Sequence, residues 1–144
     1  MKQTLLLITA ILFTLNGTHT FAGEHITVYK SPTCGCCSAW IEHLKQNSFE
    51  VTAHNTTKMQ QVKQSLGVQP EHTSCHTAEV SGYVIEGHVP ANEIKRLLQE
   101  KPAVSGLTVP GMPMGSPGME GGRKDPYQVL TFDKKGNSQV YADY

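Results

Sequence analysis

HITVYKSPTCGCCSAW, residues 25–40, sets the fold of this chain, because it reads as a strand, a break and a helix start packed with sulfur. Residues 25–30 alternate apolar and polar side chains and are β-branched at Ile26, Thr27 and Val28, the pattern of a half-buried strand. Ser31-Pro32-Thr33 interrupts it. From Cys36 or Cys37 to about Gln46, Trp40, Ile41 and Leu44 recur at helical spacing, and Asn47-Ser48 ends the run. The cysteines therefore sit where a helix begins. There the unpaired amides and the positive end of the helix dipole stabilise thiolate. Thiolate is both the attacking species in disulfide exchange and the metal-binding form, so the location alone favours neither chemistry.

Working outward, Phe49–Thr52 reads as a second short strand. Met59, Val62 and Leu66 mark one face of a helix, with Gly67 as its C-cap. A polar loop, VQPEHTSCHT (68–77), carries the fourth cysteine, Cys75. Residues 79–86 read as a third strand. Pro90 opens a helix with Ile94, Leu97 and Leu98 inward, and Pro102 closes it. YQVLTFDKKGNSQVYA (127–142) reads as a hairpin turning at residues 133–137. The alternation predicts an α/β fold, a sheet with flanking helices. A cysteine pair between the first strand and the first helix is the thioredoxin or glutaredoxin arrangement. The expectation is thus a thioredoxin/glutaredoxin-like sheet carrying a Gly/Pro/Met loop and a C-terminal hairpin.

The N-terminus bears on the compartment. Lys2 precedes an apolar run, Leu5–Leu15, and Thr20-Phe21-Ala22 fits a small-x-small cleavage site. This order predicts a signal peptide over residues 1–22 and an exported mature domain over 23–144. The run is shorter than the ~20 residues that span a bilayer, so no membrane insertion is expected after cleavage. Lys and Arg number 12 against 12 Asp and Glu, and no basic block points to nucleic acid.

Export favours oxidation of exposed thiols. Structural disulfides, however, are expected between cysteines spread widely enough to close long loops, and three of the four cysteines fall at 34, 36 and 37. Cys34 and Cys37 lie on one face of a first helical turn, while Cys36 is about 100° round from Cys37. A dithiol oxidoreductase, with Cys34 as nucleophile and Cys37 as resolving residue, needs no Cys36. If the loop before the third strand returns to the helix start, Cys75 joins the group and four thiolates surround one pocket. Four soft ligands suit several bridged Cu(I) ions. Zinc with four thiolates, or three and His76, stays open, although adjacent Cys36 and Cys37 are awkward for one tetrahedron. An iron–sulfur cluster is disfavoured by export. VPGMPMGSPGMEGG (109–122) carries Met112, Met114 and Met119 among five glycines and three prolines, so it forms no regular element. It is either a linker or a thioether-bearing flap, and thioethers select Cu(I). Among the histidines, His76 beside Cys75 and His88 after the third strand are candidate secondary ligands.

YKSPTCGCCSAW (29–40), TSCHTAEVSGYVIEGHVPANEIKRLL (73–98) and GLTVPGMPMGSPGMEG (106–121), in this order, resemble the small periplasmic CopG copper-resistance proteins. The resemblance spans nearly all of residues 23–144. It implies a thioredoxin-like fold, bacterial export and association with copper or silver efflux systems. It also implies a multi-copper cluster bridged by Cys34, Cys36, Cys37 and Cys75, and a role in converting Cu(I) and Cu(II). Partners implied are copper ions and a periplasmic efflux component or electron-transfer protein. Roles for His88, Met112, Met114 and Met119 carry over less directly. Whether the chain turns over as a copper or thiol oxidoreductase, or only stores copper, stays open.

Overall fold

A computed structural model describes residues 23–144. The expected signal peptide, residues 1–22, lies outside them. Among the described residues no helix is long and apolar enough to cross a membrane. In chain order the elements are β1 (His25–Lys30), α1 (Gly35–Gln46), β2 (Glu50–Asn55), α2 (Met59–Ser65), β3 (Thr77–Val80), β4 (Tyr83–Glu86), α3 (Ala91–Glu100), β5 (Gly106–Thr108), β6 (Gln128–Phe132) and β7 (Ser138–Asp143). A single 3₁₀ turn, Pro70–His72, interrupts the loop before β3.

One seven-stranded sheet runs β2-β1-β3-β4-β5-β6-β7. β1 and β2 are parallel, joined by the α1 crossover, and β3 lies antiparallel on the other side of β1. β4 and β5 are parallel across α3, and β6 and β7 form the expected hairpin. Asp133 nucleates that turn by accepting from the Lys135 and Asn137 amides at 2.8 and 3.0 Å.

Two readings of the sequence are corrected. Residues 79–86 are not one strand but the two arms of a tight hairpin, β3 and β4. Ser81 and Gly82, at φ 46° and 84°, make its two-residue turn. Positive φ at both central positions is the hairpin turn that matches strand twist. The second correction is β5, three residues long, which had no expected counterpart. Gly106 allows it: a Cβ there would come within 1.7 Å of the Val84 carbonyl oxygen.

Period-two alternation divides the strands between two faces. Ile26, Val28, Ala78, Val80, Ile85, Leu107 and Val129 meet Trp40, Ile41 and Leu44 of α1 and Ile94, Leu97 and Leu98 of α3 in the main core. The opposite face is mixed. Val84 packs with Val68 and Phe132. Beside them Glu86, fully buried, is paired with Lys63 of α2, whose side chain is 6% exposed.

Candidate metal centre

The Cys34 backbone is extended (φ −77°, ψ 100°), which makes it the N-cap of α1. Its Sγ accepts from the Cys37 amide at 3.3 Å, as a capping oxygen would. Cys34 and Cys37 are joined as a disulfide with Cα atoms 5.4 Å apart, and Cys36 and Cys75 are free. Cys36 Sγ lies 3.5 Å from Cys34 Sγ, and Cys75 Sγ lies 3.7 Å from Cys37 Sγ. The loop before β3 thus folds back onto the helix start, and all four sulfurs fall within 4.8 Å of one another.

Backbone and buried charge hold Cys75 in this position. Its neighbour Ser74 donates its amide to Glu86 Oε1 at 2.7 Å, and its hydroxyl to the Gly111 carbonyl. Glu86 also receives Lys63 Nζ and, at 2.7 Å, the Thr77 hydroxyl. Lys63 Nζ donates a second time, to Thr77 Oγ1 at 3.0 Å. Every oxygen of a carboxylate with no solvent therefore has a partner, as burial of a charge demands. Gly87, at φ 74°, lies so close to Ser74 that a Cβ would meet its side chain at 2.5 Å. The turn it makes carries the chain from β4 to His88.

Two imidazoles converge on the Cys75 sulfur. His88 Nε2 is 2.9 Å away and His76 Nδ1 is 3.2 Å away. Their tautomers follow from their other partners. His88 Nδ1 sits 2.8 Å from the Pro117 carbonyl, which only accepts, so Nδ1 carries the proton and the Nε2 lone pair faces Cys75. A carbonyl that fixes a histidine in this way is the usual support of a metal-ligating imidazole. His76 is fully buried, and its Nε2 has no partner. An orphan acceptor is tolerated better than an orphan N–H, so His76 protonated at Nδ1 donates to the sulfur. Its ring packs on Trp40, with centroids 4.3 Å apart, and meets the edge of His88 at 4.9 Å.

Burial holds both rings neutral. It pushes His88 below its ordinary pKa, and His76, with His88 and Lys63 adding to the effect, well below. Burial also pushes the Cys75 thiol up to about 12, with the charge of nearby Cys36 adding to it. Metal-free Cys75 is therefore a thiol, and a soft cation that binds must displace its proton. The His88 lone pair is placed to receive it.

The Gly/Pro/Met loop reaches the site through its backbone. Pro117 holds His88, and Gly118, at φ 83°, packs against α1 so tightly that a Cβ would lie 2.7 Å from the Cys36 carbonyl oxygen. Of its methionines, Met112 is 53% exposed, and the Met114 methyl packs towards Gly121. Met119 is partly buried and pairs its carbonyl with the Gly115 amide at 2.9 Å. The sequence reading missed Glu86 and Lys63. The signal was a charged residue in an otherwise apolar strand, YVIE, without its partner in view.

Fold and site together define a thioredoxin-like domain with clustered thiols at the start of its first helix. The solved structure titled "Copper resistance protein copG, Form 1" matches with a TM-score of 0.80 and 47% identity, covering 84% of this chain and 97% of that one. Form 2 matches with a TM-score of 0.80 and 46% identity, over 85% and 98%. A family model described as "Protein of unknown function, DUF411" matches residues 72–119, which hold Cys75, His76, His88 and much of the loop. Among proteins with curated descriptions, none matches the sequence. The chain belongs to the CopG copper-resistance family.

Proposed function

We propose that this is an exported copper-binding protein of copper resistance, whose reduced form holds several Cu(I) ions through Cys34, Cys36, Cys37 and Cys75. The convergence of Cys75 on the CxCC group carries the reading, with all four sulfurs inside 4.8 Å. Thiolate sulfur selects Cu(I), and each sulfur has lone pairs for more than one ion. His88 and His76 adjoin the cluster as secondary ligand and hydrogen-bond donor. Met112, Met114 and Met119 stand on the loop whose Pro117 and Gly118 reach His88 and the start of α1. Residues 1–22 direct the chain to the periplasm, where a copper-efflux component or an electron-transfer protein is the partner. Copper cycling between Cu(I) and Cu(II) accompanies binding in this reading.

Anaerobic titration of the reduced mature protein against a Cu(I) chelator tests it. More than one tightly held Cu(I) per chain is expected. Binding no tighter than that of an ordinary surface thiol defeats the proposal.

The disulfide between Cys34 and Cys37 favours a second reading, a thiol–disulfide oxidoreductase. That protein would keep insulin-reducing activity after Cys36→Ser or Cys75→Ser. The copper reading expects either change to lower copper capacity.

A further inference from the structure

The disulfide leaves two cysteines unused, and their position has a consequence. We infer that the form with Cys34 and Cys37 oxidised keeps a Cu(I) site of its own, made by Cys36, Cys75 and His88. Oxidation of the pair would then reduce the copper capacity without emptying the protein. The inference rests on the copper-binding reading above and extends it to the oxidised state.

The two free sulfurs lie on either side of the disulfide, Cys36 against Cys34 at 3.5 Å and Cys75 against Cys37 at 3.7 Å. They are within 4.8 Å of each other. Two thiolates bridging one d¹⁰ ion, each bond ~2.3 Å long, stand ~4.6 Å apart when the ion is two-coordinate. A separation inside 4.8 Å is compatible with both sulfurs sharing one ion, and a third donor would draw them closer than the two-coordinate spacing. His88 supplies the third donor. Its Nε2 is 2.9 Å from Cys75 Sγ, and the Pro117 carbonyl keeps that lone pair turned towards the sulfur. His76, fully buried, donates to the same sulfur and stabilises it as thiolate. None of these groups belongs to the disulfide, and all of them stand together at the site with that bond formed.

Opening the disulfide needs an external dithiol. Its thiolate attacks Cys34 Sγ, the partly exposed sulfur, since Cys37 is fully buried. Cys37 leaves as thiolate and a mixed disulfide forms. The second thiol of the dithiol then attacks its own partner sulfur, releases Cys34 and carries the disulfide away. One dithiol is oxidised, one protein disulfide is reduced, and two further thiolates join Cys36 and Cys75.

The experiment titrates the metal-free, oxidised mature protein with Cu(I) against a chelator without oxygen, while alkylation and mass measurement count free thiols before and after. One Cu(I) per chain is expected with the disulfide intact, none for oxidised Cys36→Ser or Cys75→Ser, and more than one after reduction. The double variant Cys34→Ser/Cys37→Ser, which cannot form the bond, should also hold one ion. The inference is overturned if the oxidised protein binds no Cu(I), if its ion survives Cys36→Ser and Cys75→Ser, or if two thiols appear during titration. Failure of the reduced protein to bind refutes the copper reading itself. Failure of the oxidised form alone refutes only this inference.

Discussion

Glu86→Gln is the most informative single substitution outside the cysteines. The carboxylate is fully buried, and its Lys63 partner is 6% exposed. Gln keeps an oxygen for the Ser74 amide, 2.7 Å away in the parent, while its amide nitrogen replaces the oxygen that accepted from Thr77, so the change removes the charge and turns that one hydrogen bond round. Lys63 is then left as a buried, uncompensated cation. Removing one member of a buried pair costs about 3–5 kcal/mol, a large part of the roughly 5–15 kcal/mol that holds a domain of this size together. With a urea dependence of about 1–3 kcal/mol per molar, the unfolding midpoint should fall by roughly 2 M. Lys63→Met should cost a similar amount, because it strands the carboxylate. The double variant Lys63→Met/Glu86→Gln contains no buried charge. It should recover about 2–3 kcal/mol relative to the sum of the single changes. Reversible urea unfolding of the metal-free protein, followed by Trp40 fluorescence, measures all four corners. Single changes within about 1 kcal/mol of wild type, or an additive double variant, would refute the claim that this pair is a coupled, desolvated anchor.

Further expectations follow from the same geometry. Gly118→Ala combines a positive φ with a Cβ 2.7 Å from the Cys36 carbonyl oxygen, so it should lift the loop off α1. It should cost about 1–3 kcal/mol in urea unfolding and speed amide exchange over residues 115–120. Gly106→Ala puts a Cβ 1.7 Å from the Val84 carbonyl oxygen and should leave little folded protein on expression, read by circular dichroism and solubility. His43 accepts from the Ala91 amide at the start of α3, and burial holds its pKa below the ordinary value. A histidine with a lowered folded pKa contributes stability that is fully present above its unfolded pKa, about 6.5, and is lost as pH falls through the folded value. His43→Gln should therefore flatten the decline in melting temperature below pH 6.5, and an unchanged slope would remove His43 from that account.

The sequence carried the site further than it carried the sheet, for physical reasons that differ by residue. β1 and α1 were legible because alternation at residues 25–30 and helical spacing at Trp40, Ile41 and Leu44 are local signals. The β3–β4 hairpin was hidden because residues 79–86 hold apolar side chains on both faces of the sheet, which read as one continuous strand. The Ser81-Gly82 step was its visible turn signal. β5 was invisible because three residues carry no period, and what permits the strand is the missing Cβ of Gly106 against a strand more than twenty residues away. Glu86 shows the same limit at the site. Nothing near it in sequence says that Lys63 will meet it, since only the sheet brings α2 over β4. Cys75 lay between these cases. Its place in a loop was legible, and its return to α1 followed only if the chain folded as a thioredoxin-like sheet.

That dependence ties the thiol site to the buried charge pair. β4 supplies Glu86, which holds Ser74 and so Cys75, and the residues just after it supply Gly87 and His88. The sulfur and the imidazole that face each other at 2.9 Å are thus placed by one strand end, whereas the CxCC group is placed by α1. A disturbance of β4 should move Cys75 and His88 together and leave Cys34, Cys36 and Cys37 where they are. Glu86→Leu, which also removes the acceptor for Ser74, is the change that separates the two halves. It should raise the alkylation rate of Cys75 in folded, metal-free protein while leaving that of Cys36 near wild type. Equal acceleration at both thiols would mean that the cluster loosens as one body, and the division of labour between β4 and α1 would be wrong.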